Sequence, residues 1–137
     1  MRVEVYWNLH KRLFSVRALE GEHKGRVIQH AYKVKLEEAS FVVQPAGRER
    51  VLREGKKNVH AFVRGRVVGG EFEHRYTMAR SPLWLMDRVT YNPYIHDTFV
   101  SAKTKEPIFN AVSVEMDVML DEGRWFPRIL SFHTDLT

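Results

Sequence analysis

Cysteine is absent from this chain. Its absence excludes disulfide bonds, thiolate zinc sites and cysteine nucleophiles, so a metal would need histidine and carboxylate ligands. Long apolar runs are also missing, and none approaches the ~20 residues that a membrane-spanning helix requires. The N-terminus carries an acid, Glu4, where a signal peptide would have its apolar segment. We therefore expect a soluble protein with no membrane partner.

Several motifs that mark catalytic or cofactor sites are missing as well. There is no Walker loop, dinucleotide-binding glycine fingerprint, Gly-x-Ser-x-Gly motif or paired-carboxylate motif in a matching context. The pairs His96 with Asp97 and His133 with Asp135 have ligand types without a defining spacing. The sequence thus predicts no cofactor, no metal site and no glycine-rich phosphate cradle.

What remains is the composition of a folded globular protein. The chain has 137 residues, of which 44% are hydrophobic and 12% aromatic, values that a disordered chain would not reach. A chain of this length is the usual size of one domain and buries about two-thirds of its unfolded surface. With no internal repeat and no linker-like stretch, residues 1–137 are predicted to form a single domain.

Hydrophobic alternation with a period of two dominates the chain and predicts strands. The pattern is clear at residues 2–7, 58–68 and 112–120. Gly69-Gly70 is typical of a two-residue hairpin turn, with a return strand after it, and residues 121–123 predict a second turn. Residues 83–86 fit either a helical turn or a buried strand. The predicted fold is α+β and β-rich: an antiparallel sheet or partly closed barrel of about eight short strands, with one short basic helix.

The net charge of +5 is concentrated in one segment, residues 48–66. This segment contains the predicted helix, residues 48–55, with Gly55 at its C-cap. Seven cations face two acids there, so the rest of the chain is balanced. Such concentration is typical of a phosphate-binding surface, although a solvated helix face with internal ion pairs gives the same pattern. The predicted phosphate ligands are Arg48, Arg50, Arg53, Lys57 and Asn58.

Two further polar segments are candidate sites. His10 beside Lys11, at the mouth of the first hairpin, would suit a general base near neutral pH; the alternative is an ordinary polar turn. His60 faces away from Val59 and is predicted to be exposed or to point at a ligand. Tyr91 and Tyr94, around Asn-Pro, would stack on a base or would simply cover the core.

Several of these segments together resemble a group of small uncharacterised proteins encoded by tailed bacteriophages. The resemblance covers roughly residues 3–114. It rests on Trp7-Asn8-Leu9-His10-Lys11, on Lys57-Asn58-Val59-His60 and on Tyr91-Asn92-Pro93-Tyr94, among others. It implies a phage origin and expression in the cytoplasm of a bacterial host. No particular activity follows from it.

Three functional hypotheses follow. The first is a phage accessory protein that binds a phosphate-bearing partner, nucleic acid or a nucleotide, through the basic helix and adjacent strand. The second is a small enzyme, a nuclease or nucleotide-processing enzyme, with His10 and His60 as acid and base and Lys11 or Arg53 stabilising charge. The third is an inhibitor of a host enzyme or a minor virion component, which requires an exposed apolar patch.

Overall fold

The computed structural model describes residues 1–73, 88–121 and 124–133. These residues form nine strands and one helix in chain order. The elements are β1 (Arg2–Asn8), β2 (Leu13–Ala18), β3 (Val27–Ala31), β4 (Lys33–Val43), α1 (Pro45–Glu54), β5 (Ala61–Glu73), β6 (Arg88–Thr90), β7 (Val100–Ser101), β8 (Asn110–Asp121) and β9 (Arg124–His133).

All described strands belong to one antiparallel sheet with the order β3-β2-β1-β5-β4-β8-β9-β6-β7. The predicted β-rich fold with one helix is therefore confirmed, and the described part of the sheet is open rather than closed into a barrel. Neighbours in the sheet are not all neighbours in sequence, since β1 pairs with β5. This pairing places the first hairpin beside the segment that enters β5.

One face of the sheet carries the core. Alternate residues of the central strands are buried there, as the period of two predicts. The core also contains Val89 and Phe99 from the far end of the strand order, so the sheet curves over its own apolar face. The largest apolar side chains that are fully buried are Val3, Val5, Val16, Val34, Leu36, Val114, Met116 and Val118.

The hairpin predicted at Gly69-Gly70 is wrong. β5 runs through both glycines and continues to Glu73, which pairs with Lys33 of β4. The register shifts there: Phe72 pairs with Val34 and Val67 with Leu36, so residues 68–71 lie opposite one residue of β4. A glycine pair fits such an irregularity as well as it fits a turn, because both use backbone conformations that a side chain would hinder.

Other local predictions have mixed outcomes. Helix α1 ends at the predicted Gly55, which is left-handed with φ 69° and donates its N–H to Val51 O, but it starts at Pro45, three residues earlier than predicted. The last hairpin is confirmed by β8 and β9, which pair up to Asp121 and Arg124. The predicted return strand after residue 73, the segment 83–86 and the residue pair 134–135 lie outside the described residues.

Candidate functional site

A cleft of about 530 Å³ lies where three segments meet. The first segment is the end of β1 and its turn, the second is the stretch entering β5, and the third is the turn after β6. We call this feature the aromatic cleft. Its lining comprises Tyr6, Trp7, Asn8, Leu9, His10, Val51, Lys57, Asn58, Val59, His60, Ala61, Tyr91, Pro93 and Tyr94.

The turn between β1 and β2 is shaped by Asn8. Its Oδ1 accepts the backbone N–H groups of His10 and Lys11, each at 3.0 Å. The backbone N–H of Arg12 donates to Asn8 O at 2.8 Å, and Arg12 adopts a left-handed φ of 54°. An Asn side chain that bonds to the backbone two or three residues on is a common way to close a tight turn. Asn8 therefore holds His10 at the cleft.

The other end of the Asn8 amide reaches into the sheet. Asn8 Nδ2 donates to Ser15 Oγ at 3.2 Å, and Ser15 Oγ lies 3.0 Å from His30 Nδ1. Because Ser15 accepts from Asn8, its single proton is available to His30, which then carries an unprotonated Nδ1. Burial, and next the nearby Lys11 charge, lower the pKa of His30, which agrees with a neutral ring. We call these three residues the hairpin network.

His60 also lines the aromatic cleft and is almost wholly buried, with 6% exposure. Its Nδ1 lies 3.0 Å from Asn58 O and 3.1 Å from Asn58 Oδ1. Its Nε2 lies 2.8 Å from the Tyr91 hydroxyl. We call Asn58, His60 and Tyr91 the cleft network. A buried imidazole with both nitrogens bonded is held in one orientation, so the first of the two predicted alternatives, an exposed His60, is wrong, and the second, a His60 that points at a ligand, stays a prediction.

Tyr91 joins the cleft network to the core. Its ring stacks on Phe99 at 5.3 Å with an interplanar angle of 14°, and Phe99 in turn packs against Phe41. Burial raises the pKa of Tyr91; the Arg48 charge opposes this rise and the Asp97 charge adds to it. The phenol therefore stays protonated at neutral pH. Tyr91 both covers the end of the core and lines the aromatic cleft.

Helix α1 supports the cleft from behind. A Cβ placed on Gly47 would lie 2.5 Å from the His60 Cβ, so only glycine allows this approach. The next residue, Arg48, donates from Nε to Pro93 O at 3.0 Å and to His96 O at 2.7 Å. The helix therefore locates both His60 and the turn that carries Tyr94.

The predicted phosphate ligands have different surroundings. Arg48 Nε is engaged with the two carbonyls of the turn, whereas Lys57 and Asn58 line the aromatic cleft. Arg50 and Arg53 are exposed, each 3.8 Å from a Glu54 oxygen, and contacts of this kind contribute little. Further along the basic segment, Arg64 pairs with Glu4 and Arg66 pairs with Glu37. Part of the positive charge of residues 48–66 is therefore used in ion pairs within the protein.

The structure thus brings six of the predicted site residues to one cleft and leaves four outside its lining. Those in the lining are His10, Lys57, Asn58, His60, Tyr91 and Tyr94; those outside it are Lys11, Arg48, Arg50 and Arg53. Sequence reasoning missed Tyr6 and Trp7 as parts of the wall. Their only signal is their position, two aromatic residues at the end of a strand beside a polar turn.

No described helix has the length and apolar character that crossing a membrane requires. Residues 1–73, 88–121 and 124–133 also contain no group of three or more His, Asp or Glu side chains arranged to hold a metal ion.

Comparison with known proteins identifies the chain's relatives. A family model described as "Mycobacterium phage L5 gene 82 protein" matches residues 1–122. The "Gene 82 protein" of Mycobacterium phage L5 is 41% identical over 117 residues, which cover 81% of this chain and 86% of that protein. No solved structure is significantly similar to the chain. The phage resemblance expected from the sequence is confirmed, and the chain belongs to the family of the Mycobacterium phage L5 gene 82 protein.

Proposed function

We propose that this phage protein binds a nucleotide, either free or as a unit of single-stranded nucleic acid, in the aromatic cleft. The observation that carries the proposal is the convergence of aromatic, hydrogen-bonding and cationic side chains on one cleft of about 530 Å³. Ligand sites typically have volumes of ~300–1,000 Å³, with mostly apolar walls and a few polar groups that orient the ligand. The cleft has this character.

Tyr94 and Trp7 support stacking on a base. Tyr94 is 60% exposed at the cleft, held there by an N–H bond of 3.0 Å to Asn92 Oδ1. Stacking of a base on such an exposed ring contributes ~1–3 kcal/mol per base. The Trp7 ring is held by an edge-to-face contact with Phe14, whose ring centroid lies 5.3 Å from that of Trp7.

The phosphate would lie toward Lys57, the cation in the cleft lining. Arg50 and Arg53 are on the helix that also supplies Val51 to the cleft, and they are well exposed, so a longer strand would reach them. In this proposal the basic helix contributes long-range attraction, whereas the cleft holds the nucleotide. Host cytoplasm, where such ligands are abundant, is the proposed location.

Titration with mononucleotides and short single-stranded DNA and RNA at two salt concentrations tests the proposal. If the natural ligand is single-stranded nucleic acid, affinity for the oligonucleotides should fall steeply with salt. If it is a free nucleotide, the mononucleotide should bind more tightly than the oligonucleotides and with a shallow salt dependence. Tyr94→Ala should weaken binding by about five- to 100-fold. Phe109→Ala is the matched control, because Phe109 is 59% exposed and absent from the cleft lining. Equal losses in both variants, or no binding at low salt, would refute the proposal.

A second candidate is a phosphodiester- or nucleotide-processing enzyme that uses His10 and His60. The supporting observation is that both imidazoles line the same cleft. Since His60 Nε2 is engaged by Tyr91, His60 would exchange protons with a substrate through the Tyr91 hydroxyl, and His10 would act directly. Cleavage of a labelled oligonucleotide or nucleotide that is lost in His10→Ala and kept in His23→Ala supports this candidate; His23 is exposed and outside the cleft lining. Absence of turnover excludes it.

A further inference from the structure

The cleft network contains enough hydrogen-bond partners to locate its protons. Asn58 Nδ2 donates to the carbonyl oxygen of Gly47 at 3.3 Å. A carbonyl only accepts, so the amide must present its nitrogen to Gly47 and its oxygen to His60. His60 Nδ1 then faces two oxygen acceptors, Asn58 O and Asn58 Oδ1. Nδ1 must therefore carry a proton.

The proton on Nδ1 determines the role of the other ring nitrogen of His60, Nε2. A neutral imidazole with its proton on Nδ1 has a lone pair on Nε2, which accepts the Tyr91 hydroxyl proton across 2.8 Å. A phenol has one proton, and here it is directed inward to the buried His60. The lone pairs of the Tyr91 oxygen remain available to accept a hydrogen bond from a ligand in the cleft. Asn58 thus determines, through His60, that Tyr91 presents an acceptor.

We infer that the cleft selects nucleobases that carry an exocyclic amino group, because Tyr91 Oη accepts a hydrogen bond and has no proton to give. This inference rests on the proposed function and specifies the ligand of the same site. Adenine and cytosine would bind through an amino N–H. Hypoxanthine and uracil place a carbonyl oxygen at the same point, where two acceptors would face each other.

Two matched ligand pairs test the inference. AMP and IMP differ by an amino group exchanged for a carbonyl, and so do CMP and UMP. Isothermal titration should give an affinity for AMP about five- to tenfold higher than for IMP, and likewise for CMP over UMP. If the members of each pair bind equally, the inference is overturned while the proposed function stands. If neither these mononucleotides nor short oligonucleotides of the same four bases bind, both are overturned.

Tyr91→Phe separates hydrogen bonding from stacking. The variant keeps the ring that packs on Phe99 but removes the acceptor oxygen. The AMP-to-IMP affinity ratio should fall to about one, with the affinity for IMP retained. A ratio that stays at its original value would show that another group selects the base and would overturn the inference. Circular dichroism and thermal unfolding establish that the variant is folded.

Asn58→Asp gives an independent readout at the far end of the network. A carboxylate beside Nδ1 favours a second proton on His60. His60 Nε2 would then donate to Tyr91 Oη, and the phenol proton would turn toward the cleft. The preference should therefore shift from AMP toward IMP. A folded variant with the same preference as the original protein contradicts the proton assignment on which the inference depends.

Discussion

The hairpin network and the cleft network use the same residue types and have different exposures. Each joins an asparagine, a histidine and a hydroxyl group, with Asn8, Ser15 and His30 in one and Asn58, His60 and Tyr91 in the other. In the hairpin network the hydroxyl belongs to the fully buried Ser15, whereas in the cleft network it belongs to Tyr91 at the wall of a cleft. The hydroxyl of the first network is closed to a ligand, while the hydroxyl of the second can meet one.

Proton direction separates them further. In the hairpin network the Asn8 amide donates to the Ser15 hydroxyl, and the hydroxyl proton is available to the His30 imidazole, so the hydroxyl has a partner within the protein on both sides. In the cleft network the hydroxyl donates to the imidazole and the imidazole to the amide oxygen, so the acceptor capacity of Tyr91 remains for the cleft. Buried polar groups need internal partners to avoid a desolvation cost, and those at a cleft can exchange them for a ligand.

The largest change in the free energy of unfolding should come from Gly47→Ala, which affects the cleft network and not the hairpin network. Alanine normally favours a helix over glycine by ~0.5–1 kcal/mol, but here its Cβ would lie 2.5 Å from the Cβ of His60. Overpacking costs ~1–3 kcal/mol, so the net change should be a lower free energy of unfolding by about 1–2 kcal/mol, measured by urea titration. Nucleotide affinity should fall as well. A more stable variant would show that helix propensity outweighs the contact.

Ser15→Ala should have an intermediate effect, confined to the hairpin network. It leaves Asn8 Nδ2 without its acceptor and His30 Nδ1 without its donor. An unsatisfied buried polar group costs ~1–3 kcal/mol, and His30 is only partly buried, so we expect a loss of about 1 kcal/mol in urea unfolding. The ratio of AMP to IMP affinity should not change. A changed ratio would mean that the two networks are coupled.

The smallest effect should be a pH dependence from His30. Its pKa in the folded protein is below the ordinary 6.5, so the unfolded chain binds more protons as pH falls below that value. Stability from this group is therefore complete above about 6.5 and declines toward lower pH until the folded pKa is passed. His30→Asn, whose Oδ1 takes the place of Nδ1 as an acceptor for Ser15, should reduce this slope. NMR titration of the His30 ring checks the direction, and a raised pKa would contradict the neutral assignment.

Local patterning was enough to predict the main elements and to select six of the fourteen residues that line the cleft. Alternation located β1 and β8, and polar residues at strand ends marked His10, His60 and Tyr94. Their convergence could not be predicted, because it depends on the pairing of β1 with β5 and on the curvature of the sheet. Neither is encoded within a short window of sequence.

What the sequence did not reveal has equally physical causes. A guanidinium group binds backbone carbonyls as readily as phosphate, and nothing near Arg48 in sequence announces the carbonyls of Pro93 and His96. A glycine pair permits an irregularity inside β5 as well as a turn. Strand alternation allowed His60 to be exposed or to face a ligand, and the structure excludes only the exposed alternative, because His60 precedes β5 and is buried against Gly47. In each case the deciding partner is distant along the chain.

The most direct test of the central claim is a map of amide and aromatic NMR shifts during titration with AMP. If the aromatic cleft holds the nucleotide, the largest shifts should fall on Trp7, His60, Tyr91 and Tyr94, with smaller ones on Lys57. Shifts confined to Arg50 and Arg53 on the exposed face of helix α1, with the cleft residues unmoved, would contradict the account.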